Sequence, residues 1–247
     1  RDKDVYEVLV TPDHEWITVR VGRQKTAELK VGSRLLNQRS AGWRGGRLCP
    51  QGIQHGIVYG DGTLSRAPSG REVGSGLSLF AESVELERFF NLHPISDASY
   101  INEVGSLIPG RLVTNLPAHF KRLPDISYDS GYLMGFLAGW IAADGNVHKN
   151  HGTVRLHCKD AAPLEWARDA AHICGIRTSK VRGGEEPNPF DPSKTRTMYY
   201  IYFYSGDGVE RLLIRSDHIQ KREDYQSSCP RSSGANHKYS KVISVEE

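Results

Sequence analysis

Two aspartates in this sequence stand where paired carboxylates can act together. Asp61 falls near the end of QGIQHGIVYGDGTL, residues 51–64, and Asp144 near the end of SGYLMGFLAGWIAADGNV, residues 130–147. Each is followed by a glycine, Gly62 or Gly145, and preceded by small residues at every fourth position: Gly52, Gly56 and Gly60 in the first segment, Gly135, Gly139 and Ala143 in the second. Two carboxylates held close repel unless a proton or a cation lies between them. A divalent metal is the natural occupant, and Mg²⁺ takes one or two carboxylates together with waters and phosphate oxygens.

The elements that position these acids read as helices. Residues four apart share one helix face, so each segment offers a strip without bulky side chains along which another backbone can come close, as small-xxx-small strips do in membranes. Glycine costs a helix interior about 1 kcal/mol against alanine, and close helix packing is the gain that offsets it. If the helices pack in parallel, Asp61 and Asp144 emerge at the same end, with Gly62 and Gly145 expected to turn the chain as C-terminal caps. The apolar run at 132–143 has 12 residues, too few for the about 20 that span a bilayer. An ordinary core helix would leave the duplication and the paired acids unexplained.

LAGWIAADG, residues 137–145, resembles the signature of the LAGLIDADG homing endonucleases, and QHGIVYGDG, residues 54–62, resembles a more diverged first copy; their final acids are 83 positions apart (144 minus 61). The resemblance implies an α+β fold of two pseudo-symmetric halves with curved antiparallel sheets. It implies a monomer with internal two-fold pseudo-symmetry that cuts both strands of a long double-stranded DNA site. Mg²⁺, or another divalent cation, would be held by Asp61 and Asp144, with Gly60 and Ala143 beside them. Ala142 stands where many members carry an extra acid. The KRLP run at 121–124 resembles the block that carries a functional lysine in intein endonucleases, which points to Lys121. Lys221, 77 positions after Asp144 (221 minus 144), falls where the second-half lysine tends to lie; Arg122, Lys159 and Arg222 compete with these assignments. Phosphodiester hydrolysis needs an in-line water, neutralisation of the phosphate and help for the leaving 3′ oxygen. Metal-bearing acids supply most of this, and a nearby lysine stabilises developing charge.

After each Asp-Gly the element order repeats: strand 77–83 and helix 84–91 in the first half, strand 153–158 and helix 162–174 in the second. Antiparallel strands laid along the major groove meet distinguishable base edges. The clearest recognition hairpin spans 176–204. In its second arm Lys194, Arg196, Met198, Tyr200 and Tyr202 fall on one face and Thr195, Thr197, Tyr199, Ile201 and Phe203 on the other. Arg177, Lys180, Arg182, Lys194 and Arg196 are the expected DNA contacts here, with Arg66, Arg71 and Arg111 as first-half counterparts; an amphipathic hairpin with solvated charges is the plainer alternative.

The net charge of +3 is only weakly basic, so local clusters matter more than the total. One cluster is Arg177, Lys180 and Arg182; another is Arg39, Arg44 and Arg47 around Trp43. The four cysteines, Cys49, Cys158, Cys174 and Cys229, lack CxxC spacing, against a zinc site or a disulfide scaffold. With neither a signal peptide nor a spanning segment, a cytoplasmic, nucleoid-associated protein without a membrane partner is expected.

YEVLVTPDHEWITVRVG, residues 6–22, alternates as strands do, and residues 37–50, rich in Gly, Ser and Arg, read as a linker. VLVTPDHEW resembles the block of protein-splicing (Hint) domains that carries a Thr-x-x-His pair, matched by Thr11 and His14, and AELKVGSRLL and KYSKVISVEE resemble further Hint strands of inteins. The expected plan is a partial all-β Hint segment with linker at 1–48, halves at 49–128 and 129–225, and linker with C-terminal Hint strands at 226–247. A chain running from Arg1 to Glu247 lacks the first nucleophile and terminal asparagine of an intein, so splicing by it alone is not expected. Three other functions use the same features: a DNA-binding remnant without cleavage, an RNA-splicing maturase and a protein-splicing module.

Overall fold

The computed structural model describes residues 10–18, 22–36, 48–148, 152–188, 191–204, 209–228 and 239–242. The basic cluster around Trp43, together with Cys229 and the chain ends, lies outside them. The chain divides into two compact units, Arg1–Ala41 with Pro230–Glu247, and Gly42–Cys229.

The first unit is a four-stranded antiparallel sheet. Strands β1 (Glu15–Thr18), β2 (Gly22–Lys25) and β3 (Arg34–Leu36) are joined by the strand Tyr239–Lys241, which pairs with β3 at Tyr239↔Leu36. Thr11 and His14 lie in the turn before β1, where the His14 amide donates to the Thr11 carbonyl at 3.1 Å. The His14 ring stands edge-on to Trp16, 4.9 Å away.

The second unit is built on two helices. Helix α1 is Pro50–Asp61, with proline at its first turn, where its missing N–H is no loss. It leads into β4 (Thr63–Arg66) and β5 (Glu72–Phe80), a 3₁₀ segment Ala81–Phe89, then β6 (Ile95–Ile101), β7 (Leu107–Leu116) and a 3₁₀ turn Ala118–Lys121. Helix α2 (Ser130–Asp144) is capped by the Asp129 carboxylate, which accepts from the Gly131 and Tyr132 amides at 2.8 and 3.0 Å. It is followed by β8 (Asn146–Val147), β9 (Val154–Cys158), α3 (Ala161–Ile173), β10 (Arg182–Asn188), β11 (Asp191–Phe203), a 3₁₀ turn Val209–Leu212 and α4 (Ser216–Ser228). The sheet orders are β4-β5-β7-β6 and β10-β11-β9-β8, with antiparallel pairing throughout. Among the described residues no helix is long and apolar enough to cross a membrane.

The small-residue stripes do what their spacing predicts. A Cβ added at Gly52 would meet the Tyr132 carbonyl at 2.5 Å, one at Gly56 would run into the Phe136 carbonyl, and one at Gly60 would lie 2.5 Å from the Ala143 Cβ. From the other side, Gly135 faces Cys49 and Gly139 faces Ile53. Contacts that advance together along both helices define parallel packing with peptide groups touching. Residues 133–142 of α2 are buried all round, as befits a helix with no polar face. One core gathers α2, α3, β9 and β11; the other gathers α1, β5 and β7.

Three expectations need correction. Gly62 and Gly145 do cap the helices, their amides donating to the Val58 and Ile141 carbonyls at 2.8 and 2.9 Å, but they are extended (φ −74° and −85°) rather than left-handed. They are glycine for want of space, since a Cβ would lie 2.5 Å from the Val58 carbonyl and 2.6 Å from that of Ile141. The helix expected at 84–91 is the 3₁₀ segment Ala81–Phe89. It follows a kink at Ala81 (φ 49°) and a turn in which the Ser83 hydroxyl engages the Phe80 amide and carbonyl. Helix α4, too polar to show an apolar stripe, was not expected. Its Arg222, 6% exposed, holds it by donating to the Gly152 carbonyl and pairing with Glu210.

Candidate active site

Parallel packing brings the ends of α1 and α2 together, so Asp61 and Asp144 are neighbours. The Asp144 Oδ2 would lie 3.0 Å from a Cβ on Gly60, and it accepts from the Trp140 indole N–H at 3.0 Å. Burial raises the pKa of both acids above the ordinary carboxylate value, and for Asp61 the Asp144 charge raises it further. Asp61 keeps solvent contact on one side while protein crowds the other.

Two cations flank the pair. Lys121, from the 3₁₀ turn after β7, donates through Nζ to the Tyr59 carbonyl at 2.6 Å and the Gly60 carbonyl at 3.3 Å. Arg215, between the 3₁₀ turn 209–212 and α4, donates through Nη1 to the Ala142 carbonyl at 3.1 Å, its Nε held by Asp217 at 2.9 Å. Each cation thus sits on the carbonyl end of one helix, where the macrodipole is negative. The rise is opposed at Asp61 by the Arg215 and Lys121 charges, and at Asp144 by the Trp140 hydrogen bond and then the His157 and Lys121 charges. Burial lowers the Lys121 pKa, and the two carboxylates oppose that.

Lys221 does not take the expected place. It lies on α4, where Asp217 one helical turn earlier binds its Nζ at 2.8 Å. The group on the end of α2 is Arg215, six positions upstream. The order shared by both halves, strand then short turn then cation, was the signal for it: AHFK at 118–121 and VERLLIR at 209–215.

A metal is tested by the donor set. Among the described residues no three His, Cys, Asp or Glu side chains converge, so a closed cage of the kind that holds structural zinc is absent there. Two adjacent carboxylates that resist ionisation suit a hard divalent cation that keeps waters and phosphate oxygens for its other positions. Gly60 and Ala143 adjoin the acids as expected, and the Gly60 carbonyl already accepts from Lys121.

The second sheet presents a basic, aromatic face. Directly opposed residues share a face, and the register sets Arg182 and His157 against Tyr200, and Arg155 against Tyr202. With Lys194 and Arg196 on the same alternation of β11, this makes one surface beside Asp144. Ile201 and Phe203, on the other face, are fully buried. Arg155 and His157 were not among the expected contacts, although they alternate with Val154, Leu156 and Cys158 along β9. Arg177 and Lys180 are exposed in the segment leading into β10.

In the first half, Arg66 is largely exposed near Glu72, and Arg71 is exposed in the turn before β5. Arg111 does not join them. It stands opposite fully buried Leu79, on the covered side of the sheet, where Glu87 binds its Nε at 3.0 Å and Asp97 pairs with its guanidinium. The three described cysteines are free thiols; burial pushes that of Cys174 up to about 12.

The comparison by family covers α2 and the elements that follow it, as far as the start of α4. Residues 131–217 match the model of the LAGLIDADG-like domain. Among solved structures, I-DmoI in complex with DNA and Mn is similar at 14% identity, over 73% of this chain and 98% of that one, with a TM-score of 0.40. I-DmoI in complex with DNA and Ca is similar at 13% identity, over 63% and 82%, with a TM-score of 0.43. Full-length DUF199/WhiA from Thermatoga maritima is similar at 16% identity, over 76% and 62%, with a TM-score of 0.46. No curated protein matches the sequence significantly.

Proposed function

We propose that the protein is a site-specific, divalent-metal-dependent DNA endonuclease of the homing type, acting as a monomer with internal two-fold pseudo-symmetry. The observation that carries this reading is the neighbouring pair Asp61 and Asp144, with pKa values raised above the ordinary carboxylate value, and Lys121 and Arg215 set on the two helix ends.

Asp61 and Asp144 would hold Mg²⁺ or a similar cation, which supplies charge neutralisation and activation of water when bound. The Trp140 N–H fixes one Asp144 oxygen and so orients the other. Lys121 and Arg215 offset the charge that grows on the scissile phosphates and on the leaving 3′ oxygens. Water adds to phosphorus, the P–O3′ bond breaks, and the 3′ oxygen takes up a proton. The face bearing Arg155, Arg182, Lys194, Arg196, Tyr200 and Tyr202 would lie against the duplex, with Arg66 and Arg71 contacting it from the first half.

The first unit supports an intein origin, in which Thr11 and His14 belong to a Hint remnant. Its strand Tyr239–Lys241 pairs with β3 from the other end of the chain, as expected if the nuclease interrupts one splicing domain.

The test is incubation with Mg²⁺ and a library of intein-less insertion sites, beside Asp61→Asn and Asp144→Asn, followed by sequencing of the ends. Double-strand ends at one locus, reduced to nicks or nothing in the variants, are expected. Binding without ends would leave a DNA-binding remnant; tight RNA binding that ignores metal would make it a maturase.

A further inference from the structure

The segment that carries Arg215 is gripped from the first half of the same unit. On its N-terminal side, Arg88 donates through Nη2 to the Ile214 carbonyl. On its C-terminal side, Glu85 accepts from the Ser216 amide at 2.8 Å and from the Ser216 hydroxyl. Glu85 and Arg88 lie on the 3₁₀ segment Ala81–Phe89 and are themselves an ion pair, 3.6 Å apart. The residue bracketed by these bonds is Arg215, whose guanidinium reaches the Ala142 carbonyl at the end of α2.

The grip also replaces a cap. Arg215 is the residue whose carbonyl accepts the first bond of α4, from the Ile219 amide at 3.0 Å. The Glu85 carboxylate therefore meets the exposed amide end of α4, where negative charge is favourable, but it does so from 131 positions away. Lys121 is anchored within its own half: it ends the 3₁₀ turn after β7 and bonds to α1.

We propose that Glu85 and Arg88 are positioning residues for Arg215, so that the first half sets the cation of the second and one strand of the duplex is cut under the control of the other half. This rests on the endonuclease reading. Breaking the clasp frees Arg215 to swing with the start of α4, while Lys121 and the two acids keep their places. The two strands then respond unequally.

The experiment has two arms, both on the full chain. Amide exchange at Ser216 and Ile219 is compared between wild type, Glu85→Ala and Glu85→Gln; an acceptor that bonds through a charge is strong enough that its loss should speed exchange about tenfold, with the amides of α1 and α2 unchanged. Glu85→Gln retains acceptor oxygen and should restore part of the protection. The second arm is single-turnover cutting of a supercoiled plasmid carrying the site recovered from the library, resolved by strand. Glu85→Ala and Arg88→Ala should slow one strand about tenfold, the same strand that Arg215→Ala slows, and Lys121→Ala should slow the other. Unchanged exchange overturns the clasp whatever the cutting does. Altered exchange with both strands slowed equally overturns the positioning role. A wild-type protein that leaves every plasmid intact overturns the endonuclease reading instead, and exchange alone then decides the clasp.

Discussion

Gly139→Ala isolates the feature on which the site depends. In an exposed helix this change would stabilise by about 1 kcal/mol. Here the new Cβ would run into the Ile53 carbonyl and lie 2.8 Å from the Ile57 amide. Extra methyl groups in a packed core cost about 1–3 kcal/mol when side chains can move aside; peptide groups in mid-helix cannot, so α1 and α2 must separate. The helices also meet at Gly52, Gly56 and Gly135, and separation loosens all these contacts at once. The propensity gain is outweighed, and a net loss of about 3 kcal/mol follows. For a domain of this size each kcal/mol moves Tm by about 2–4 °C, so a fall of about 10 °C is expected by circular dichroism. Gly184→Ala is the control: on β10 nothing lies within 4 Å of its added Cβ, and its effect should stay within about 0.5 kcal/mol. A Gly139→Ala protein that melts at or above the wild-type temperature would refute backbone packing of the two helices.

Other outcomes follow from the site. Because Asp61 and Asp144 have raised pKa values, their ionised forms destabilise the fold. Asp61→Asn and Asp144→Asn should therefore raise Tm at neutral pH, and the gain should shrink as pH falls through the raised values and vanish near the ordinary 3.8; a lower Tm at neutral pH would refute it. Mg²⁺ should raise the wild-type Tm in calorimetry and EDTA should reverse this, with no response in the double asparagine variant. His55, 2% exposed, bonds to the Tyr132 hydroxyl and the Arg122 carbonyl, and burial lowers its pKa to about 4. Its contribution is complete above the ordinary 6.5 and lost as pH falls towards 4, about 3 kcal/mol at one pK unit per 1.36 kcal/mol. Denaturant titrations of wild type and His55→Gln should converge across that window. Lys121→Ala should slow cutting in a nicking assay and leave DNA binding in a gel-shift assay nearly intact; equal loss of both would deny it a catalytic role.

What was legible in the sequence was what short-range periodicity encodes. The stripe Gly135, Gly139, Ala143 fixed a helix, its buried face and the position of its acid, because a small residue every fourth position has few other uses. The alternation along β11 likewise separated Ile201 and Phe203 from Lys194 and Arg196. What remained hidden depends on residues far apart in the chain. Arg111 reads as a free cation until β7 is paired with β5 and its side is found to be the one facing Glu87. Lys221 fits the spacing rule, but α4 begins at Ser216 and gives it Asp217 as a partner, leaving the helix end to Arg215. Gly62 and Gly145 look like left-handed caps because Asp-Gly so often is one; only the nearby carbonyls of Val58 and Ile141 show a crowding requirement.

The touching peptide groups of α1 and α2 also bear on how such a protein can change over time. The gap between Asp61 and Asp144 is gauged by main-chain atoms, which every sequence shares, rather than by side chains that drift. Residues on the open faces of the sheets can be exchanged freely without altering that gauge, so the surface that reads a new partner and the machinery that acts on it are free to evolve at different rates. The exception is the stretch from Ala81 to Phe89, where a substitution at Glu85 or Arg88 would be felt across the molecule.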